Sequence, residues 1–205
     1  MNGNEPLEIE RRFLVLRPSE DELRARCSHV YQMEQTYLLA QPHQTERVRR
    51  REGEDVRFFH TVKIDRTACT RIEREEEITP EAYEDYLRRR DPMTESIRKM
   101  RYCLEEAPYT FEIDLYPFWP SYAVMEVELQ REDQGFTVPR GLRVLREVSG
   151  DWRLKNAALA GHVPPEEELL AEMEENGGFS LHEGAECGKI NWICRKGTKP
   201  PAGSV

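Results

Sequence analysis

The feature that most constrains this chain is a two-residue alternation of charge that returns in segment after segment. Residues two apart on a strand share one face of its sheet. On that face Glu8, Glu10 and Arg12 stand together in LEIERRFLVL (7–16). Later segments place Arg47, Arg49 and Arg51, then Thr61 and Lys63, then Glu73, Glu75 and Glu77. Lys99 and Arg101, Glu112 and Asp114, and Glu126 and Glu128 follow. The positions between are largely apolar, among them Ile9, Phe13, Val48, Val62, Ile72, Tyr102, Ile113 and Val127. An amphipathic sheet with its charged face in water accounts for any one segment. It accounts less well for the set, because each strand face is nearly all acid or all base. A face of like charges calls for countercharge from elsewhere.

The order of segments predicts about eight short strands, at 7–16, 32–40, 46–52, 57–64, 71–78, 97–104, 109–116 and 123–130. Helices are inserted between them rather than alternating with them. Ser19 to Glu22 reads as a capping box before a short helix at 23–27, and Thr79-Pro80-Glu81 as the start of another. Residues 139–148 and 151–160 are further helix candidates, and PPEEELLAEMEEN (164–176) is a well-marked acidic helix ended by Gly177-Gly178. The fold class expected is α+β with an antiparallel sheet, not a parallel doubly wound one. The expected organisation is one domain over 1–160, an acidic helix at or near it over 161–178, and a loosely held tail over 179–205.

Composition narrows the function classes. A net charge of −9 argues against a general nucleic-acid coat. No apolar run reaches the roughly 20 residues of a membrane helix. The polar, acidic start reads as neither a secretory signal nor a transit peptide. The cysteines, Cys27, Cys69, Cys103, Cys187 and Cys194, are scattered and odd in number, as expected of reduced thiols in a cytoplasm. GAECGK (184–189) has the wrong spacing for a phosphate loop, and Cys187 and Cys194 lack a common zinc spacing.

If the charged face curls inward, acidic strips can hold a hard divalent cation through oxygen. Arginine and lysine strips fit phosphate oxygens. Both together suit a metal-bound polyphosphate, whose chemistry needs positioning and charge neutralisation above all.

The ordered segments resemble the CYTH superfamily, the triphosphate tunnel metalloenzymes. EIERRF is similar to that family's ExExK signature, with Arg12 where lysine is usual. Gln35 to Leu38, RVR at 47–49, HTVK ending at Lys63, RIEREEEI, IRKMRY, FEIDLY and MEVEL follow in the family's order. EVSGDWRLKNAALA resembles its closing segment, with Ser149 where threonine is common. The resemblance implies an eight-stranded antiparallel β-barrel that hydrolyses a triphosphate with Mg²⁺ or Mn²⁺. It implies metal-binding carboxylates at Glu8, Glu10, Glu126 and Glu128, with Asp114 a helper. The implied phosphate clamp is Arg12, Arg47, Arg49, Lys63 and Arg101. Glu73, Glu75 and Glu77 match the family's acidic strand, where a second metal or a water would be held. In the family's bacterial tripolyphosphatases a lysine–tyrosine pair is proposed to activate the water, and Lys99 and Tyr37 match it. Neighbouring cations would disfavour protonation of Lys99 and suit it to act as a base; a further clamp residue, with Tyr37 a packing aromatic, is the other reading.

The expected partner is a small-molecule triphosphate, with no nucleic acid and no membrane; a homodimer is left open. Inorganic tripolyphosphate is the leading substrate. Thiamine triphosphatase, nucleoside triphosphatase, adenylate cyclase and a non-catalytic polyphosphate-binding module are the rivals. Tyr109, Trp119 and Trp152 are candidates to stack a base or thiazole at the mouth.

Overall fold

A computed structural model describes residues 7–41, 44–65, 70–131 and 133–169, with the backbone alone at 7–8, 65 and 70–71. The expected tail at 179–205 and most of the acidic helix at 164–176 lie outside the described residues, as do Cys69, Cys187 and Cys194. The strands are β1 (Leu7–Leu16), β2 (His29–Tyr37), β3 (Gln44–Glu52), β4 (Val56–Asp65), β5 (Thr70–Ile78), β6 (Ile97–Glu106), β7 (Tyr109–Leu115), β8 (Tyr122–Glu128) and β9 (Val144–Glu147). Short helices join them: α1 (Glu20–Arg24), α2 (Pro80–Leu87) and α3 (Asn156–Gly161). Thr79 caps α2 as its sequence promises, its hydroxyl accepting from the Ala82 N–H at 3.2 Å.

The strands make one antiparallel sheet in the order β5-β4-β3-β2-β6-β7-β8-β1-β9. This is an α+β fold with nine strands among the described residues, where about eight were expected. The extra strand is β9, in the stretch read from sequence as a helix over 139–148. The edge of β1 explains it. β8 covers one side of β1 from Glu10 to Leu16. On the other side β5 pairs only with Leu7, Glu8 and Ile9, so the backbone groups farther along would be left open. β9 takes them, pairing with Phe13, Leu14 and Val15. An ion pair fastens it: Arg11 Nε and Nη2 donate to the Glu147 carboxylate at 2.9 and 2.6 Å. The second expected helix, over 151–160, is a 3-10 turn at Trp152–Leu154 followed by α3. Asp151 starts the turn by accepting from the Arg153 N–H at 3.3 Å.

Two clusters bury the apolar positions that bear on the cavity. The outward faces of β1, β6, β7 and β8 pack Phe13, Tyr102, Phe111 and Met125 with Phe136. A second cluster gathers Leu14, Tyr37, Tyr116, Trp119, Val124 and Leu154 with Leu159 and Leu169. Leu14, Val124 and Tyr116 share faces with Arg12, Glu126 and Asp114, two residues away. The charged inward face therefore turns apolar at one end, where residues 163–169 pack on it. Trp119 Nε1 donates to the Pro164 carbonyl at 3.0 Å, and Glu166 accepts from the Ser121 N–H at 2.7 Å.

Candidate active site

Strand register brings the charged positions together. Across β2, β3, β4 and β5, Tyr37 faces Arg47, Arg47 faces Thr61, and Thr61 faces Glu75. Lys63 faces Glu73 on the same wall. On the other wall Arg101 faces Asp114, Glu112 faces Glu126, Glu126 faces Arg12, and Glu128 faces Glu10. Between the walls is a cavity of about 270 Å³. Of the residues picked out in the sequence, Glu10, Arg12, Arg47, Arg49, Lys63 and Arg101 line it. So do Tyr37, Glu73, Glu75, Glu126 and Glu128.

Like charges run along each strand, but opposite charges meet across strands. Glu126 accepts from Arg12 Nε and from Arg101 Nη2, each at 2.8 Å. Glu75 accepts from Arg49 Nη2 at 2.6 Å and from the Thr61 hydroxyl at 2.8 Å. Lys63 Nζ stands 2.5 Å from Glu73. Neighbouring strands thus supply much of the countercharge that the alternation demands. They do not supply all of it. Arg47 Nε and Arg49 Nε are buried with no hydrogen-bond acceptor among the described residues, an expensive state for a guanidinium N–H.

Electrostatics follow this geometry. Burial, with Arg47 close by, pushes Arg49 down to about 10. Glu126 is held well below the usual carboxylate range: burial opposes its charge, and Arg12 and Arg101 outweigh burial. Burial likewise works against Arg101, yet Asp114 and Glu112 hold it well above its ordinary value. Burial raises the Tyr37 hydroxyl, so Tyr37 is a neutral phenol in the folded chain.

Three selected residues with described side chains stand apart from the cavity: Asp114, Lys99 and Glu77. Asp114 is fully buried behind it and takes Arg101 Nε and Nη2 at 2.7 Å each. Lys99 donates to the same carboxylate and does not line the cavity. Burial and then Arg101 push Lys99 down to about 8. Glu77 is exposed and tied to Arg57. Glu8 belongs to β1, but its side chain lies outside the described residues.

Other residues join the site unforeseen. Glu112 lines the cavity and bonds Arg101; its place two residues before Asp114 already put it on that face. Gln35 and Thr61 are wholly buried polar side chains beside Tyr37 and Glu75. Lys155 and Asn156 reach the cavity from the segment after the 3-10 turn, which has no strand alternation to reveal it. Ser149 Oγ accepts from the Arg12 N–H at 3.0 Å and donates to Glu147 at 2.8 Å. The aromatic candidates for a mouth do not line the cavity. Trp119 is buried in the apolar end, Tyr109 packs with Phe111 and Phe136, and Trp152 is exposed.

No protein-family model matches the chain, and no curated protein matches it. Among solved structures, the inorganic triphosphatase NE1496 is 27% identical, with a TM-score of 0.50, over 79% of this chain and 99% of that one. The structural neighbours of this chain are CYTH-type proteins. The PH1819 protein of Pyrococcus horikoshii aligns at 17% identity and a TM-score of 0.47, over 84% of this chain and 91% of its own. The PH1012 protein of the same organism aligns at 18% and 0.46, over 61% and 80%. In the cavity of this chain Arg12 stands third in the alternating Glu8, Glu10, Arg12 series, and its fork spans Glu126 and the Leu154 carbonyl. A lysine has a single ammonium for those two contacts.

Proposed function

We propose that the chain is a divalent-metal-dependent triphosphatase that cleaves inorganic tripolyphosphate to diphosphate and phosphate. The observation that carries this reading is the cationic wall with buried, acceptor-less N–H groups on Arg47 and Arg49. A polyphosphate offers oxygens for those donors, and charge-assisted bonds to such oxygens are strong. The likeness to an inorganic triphosphatase at 27% identity supports the same reading.

The pairing of β1 with β5 supports a tunnel whose eight main strands close on themselves, with β9 outside the ring. The donor set also fits Mg²⁺ or Mn²⁺. Among the described residues, no three acidic, His or Cys groups are gathered into a metal cage. Glu10 and Glu128, however, face each other across β1 and β8 and both line the cavity. Two carboxylates plus substrate oxygens and water are a usual set for Mg²⁺. Glu126 and Asp114 are committed to cations and act in the clamp. A bound divalent ion would neutralise phosphate charge and polarise the phosphorus under attack.

Arg12, Arg47, Arg49, Lys63 and Arg101 hold the chain of phosphates in line. A water oxygen bonds to the terminal phosphorus, the bond to the bridging oxygen breaks, and diphosphate leaves. Lys99 spends its ammonium on Asp114, which favours a role in fixing Arg101 over that of a base. No aromatic residue described other than Tyr37 lines the cavity, which favours a substrate without a base or thiazole ring.

The test is phosphate release from tripolyphosphate, ATP and thiamine triphosphate, each with Mg²⁺, Mn²⁺ or EDTA. Fastest release from tripolyphosphate, abolished by EDTA, is the expected result. Tight polyphosphate binding without turnover would make the chain a binding module instead.

A further inference from the structure

Gln35 has no role in the clamp just described, yet it is fully buried and both ends of its amide are engaged. Its Oε1 accepts from Arg47 Nη1 at 3.2 Å, and its Nε2 donates to the Tyr37 hydroxyl at 3.0 Å. The direction of these bonds is fixed by chemistry. A guanidinium can only donate, so the amide oxygen must face Arg47 and the amide nitrogen must face Tyr37. The Tyr37 oxygen is therefore an acceptor toward Gln35, and its own proton is left for another partner. Among the described residues the hydroxyl donates to none, and Tyr37 lines the cavity. Arg47 beside it carries a buried Nε–H without an acceptor.

We propose that Gln35 is a positioning residue that fixes Tyr37 and Arg47 as a pair of hydrogen-bond donors to one phosphate group of the substrate. The inference rests on the cavity being a phosphate site. Within that reading Tyr37 acts as a neutral donor to a phosphate oxygen, not as a partner in deprotonating water. A carboxylate at position 35 would accept from both neighbours, turning the tyrosine proton back toward the wall. An aliphatic residue there would remove the amide that orients both side chains, leaving only the direct contact of Arg47 with the Tyr37 hydroxyl.

The test is a double-mutant cycle read by calorimetric binding of tripolyphosphate to the full chain without metal. Its corners are wild type, Gln35→Glu, Tyr37→Phe and the double variant, with Gln35→Leu as a second replacement. Tyr37→Phe is expected to weaken wild-type binding by about 10-fold, the worth of one hydrogen bond to a charged group. In the Gln35→Glu background it is expected to cost about 2-fold or less, because the donor is already lost. The negative charge that Gln35→Glu adds weakens both corners of that background alike and drops out of the cycle. Equal Tyr37→Phe losses in the two backgrounds would overturn the inference. If Gln35→Leu fails to fold, the isosteric Gln35→Glu still decides it. If wild type itself binds no tripolyphosphate, the phosphate reading fails, and the role of Gln35 in it fails for that separate reason.

Discussion

Glu126 faces Arg12 across β1 and β8, and the two buried side chains meet at 2.8 Å while the same carboxylate also receives Arg101. One acid thereby holds two arginines of the cavity wall in place. Its burial is offset first by those cations, so breaking the pair from one side is costly.

Glu126→Gln is expected to lower stability by about 3–5 kcal/mol, the usual loss when one partner of a buried ion pair is removed. The pair also has a pH signature. The folded chain holds the Glu126 carboxyl well below its ordinary value of 4.5, so its stabilisation is complete above that pH and is lost as pH falls. Wild type should lose more stability than Glu126→Gln on going from about pH 7 to pH 4. Parallel acid profiles by thermal melting would contradict this.

Lys99 carries the opposite sign. Burial pushes it from 10.5 down to about 8, so between those values the unfolded chain binds the proton and the folded chain does not. Stability from this group therefore rises with pH across that window. Urea unfolding should show wild type gaining on Lys99→Met between about pH 8 and 10. A difference that stays flat across the window would show that Asp114 keeps the ammonium charged throughout.

Arg49→Met removes a cation that is already poorly compensated by its surroundings. Its cost should fall on substrate affinity, with tripolyphosphate binding weakened by about 10- to 100-fold. Thermal stability should change little, because the Glu75 carboxylate retains Thr61. A large loss of melting temperature with unchanged affinity would make Arg49 a structural residue.

At the apolar end, Leu14 is fully buried against Tyr37 and its cluster. Leu14→Ala should cost about 2–5 kcal/mol through the cavity it leaves. The damage should reach the site, since Tyr37 stands in both the apolar cluster and the cavity wall. Chemical unfolding beside tripolyphosphate calorimetry checks both effects.

The charged wall was legible because a strand writes its two faces into every second residue. Glu10, Arg12, Arg47, Arg49, Lys63 and Arg101 could all be placed on one face from the alternation alone. What the alternation hides is the pairing between strands, and that decided the fate of Asp114 and Lys99. Both have the right parity, yet they lie behind Arg101 and bond each other. β9 was illegible for a related reason. VLRE has no clear period, and it is a strand because β5 leaves Phe13 to Val15 of β1 uncovered. Lys155 and Asn156 sit on a turn and a helix start, where position depends on Asp151, Arg12 and Tyr116 and not on any repeat.

The central claim is that Glu10 and Glu128 hold a divalent cation for hydrolysis of tripolyphosphate on the arginine wall. Phosphate release from tripolyphosphate by wild type, Glu10→Gln and Glu128→Gln, with Mg²⁺ or with EDTA, tests it most directly. Expected are release by wild type with Mg²⁺, none with EDTA, and a loss of at least about 100-fold in each variant at unchanged melting temperature. Release that persists in EDTA, or folded variants as active as wild type, would contradict it.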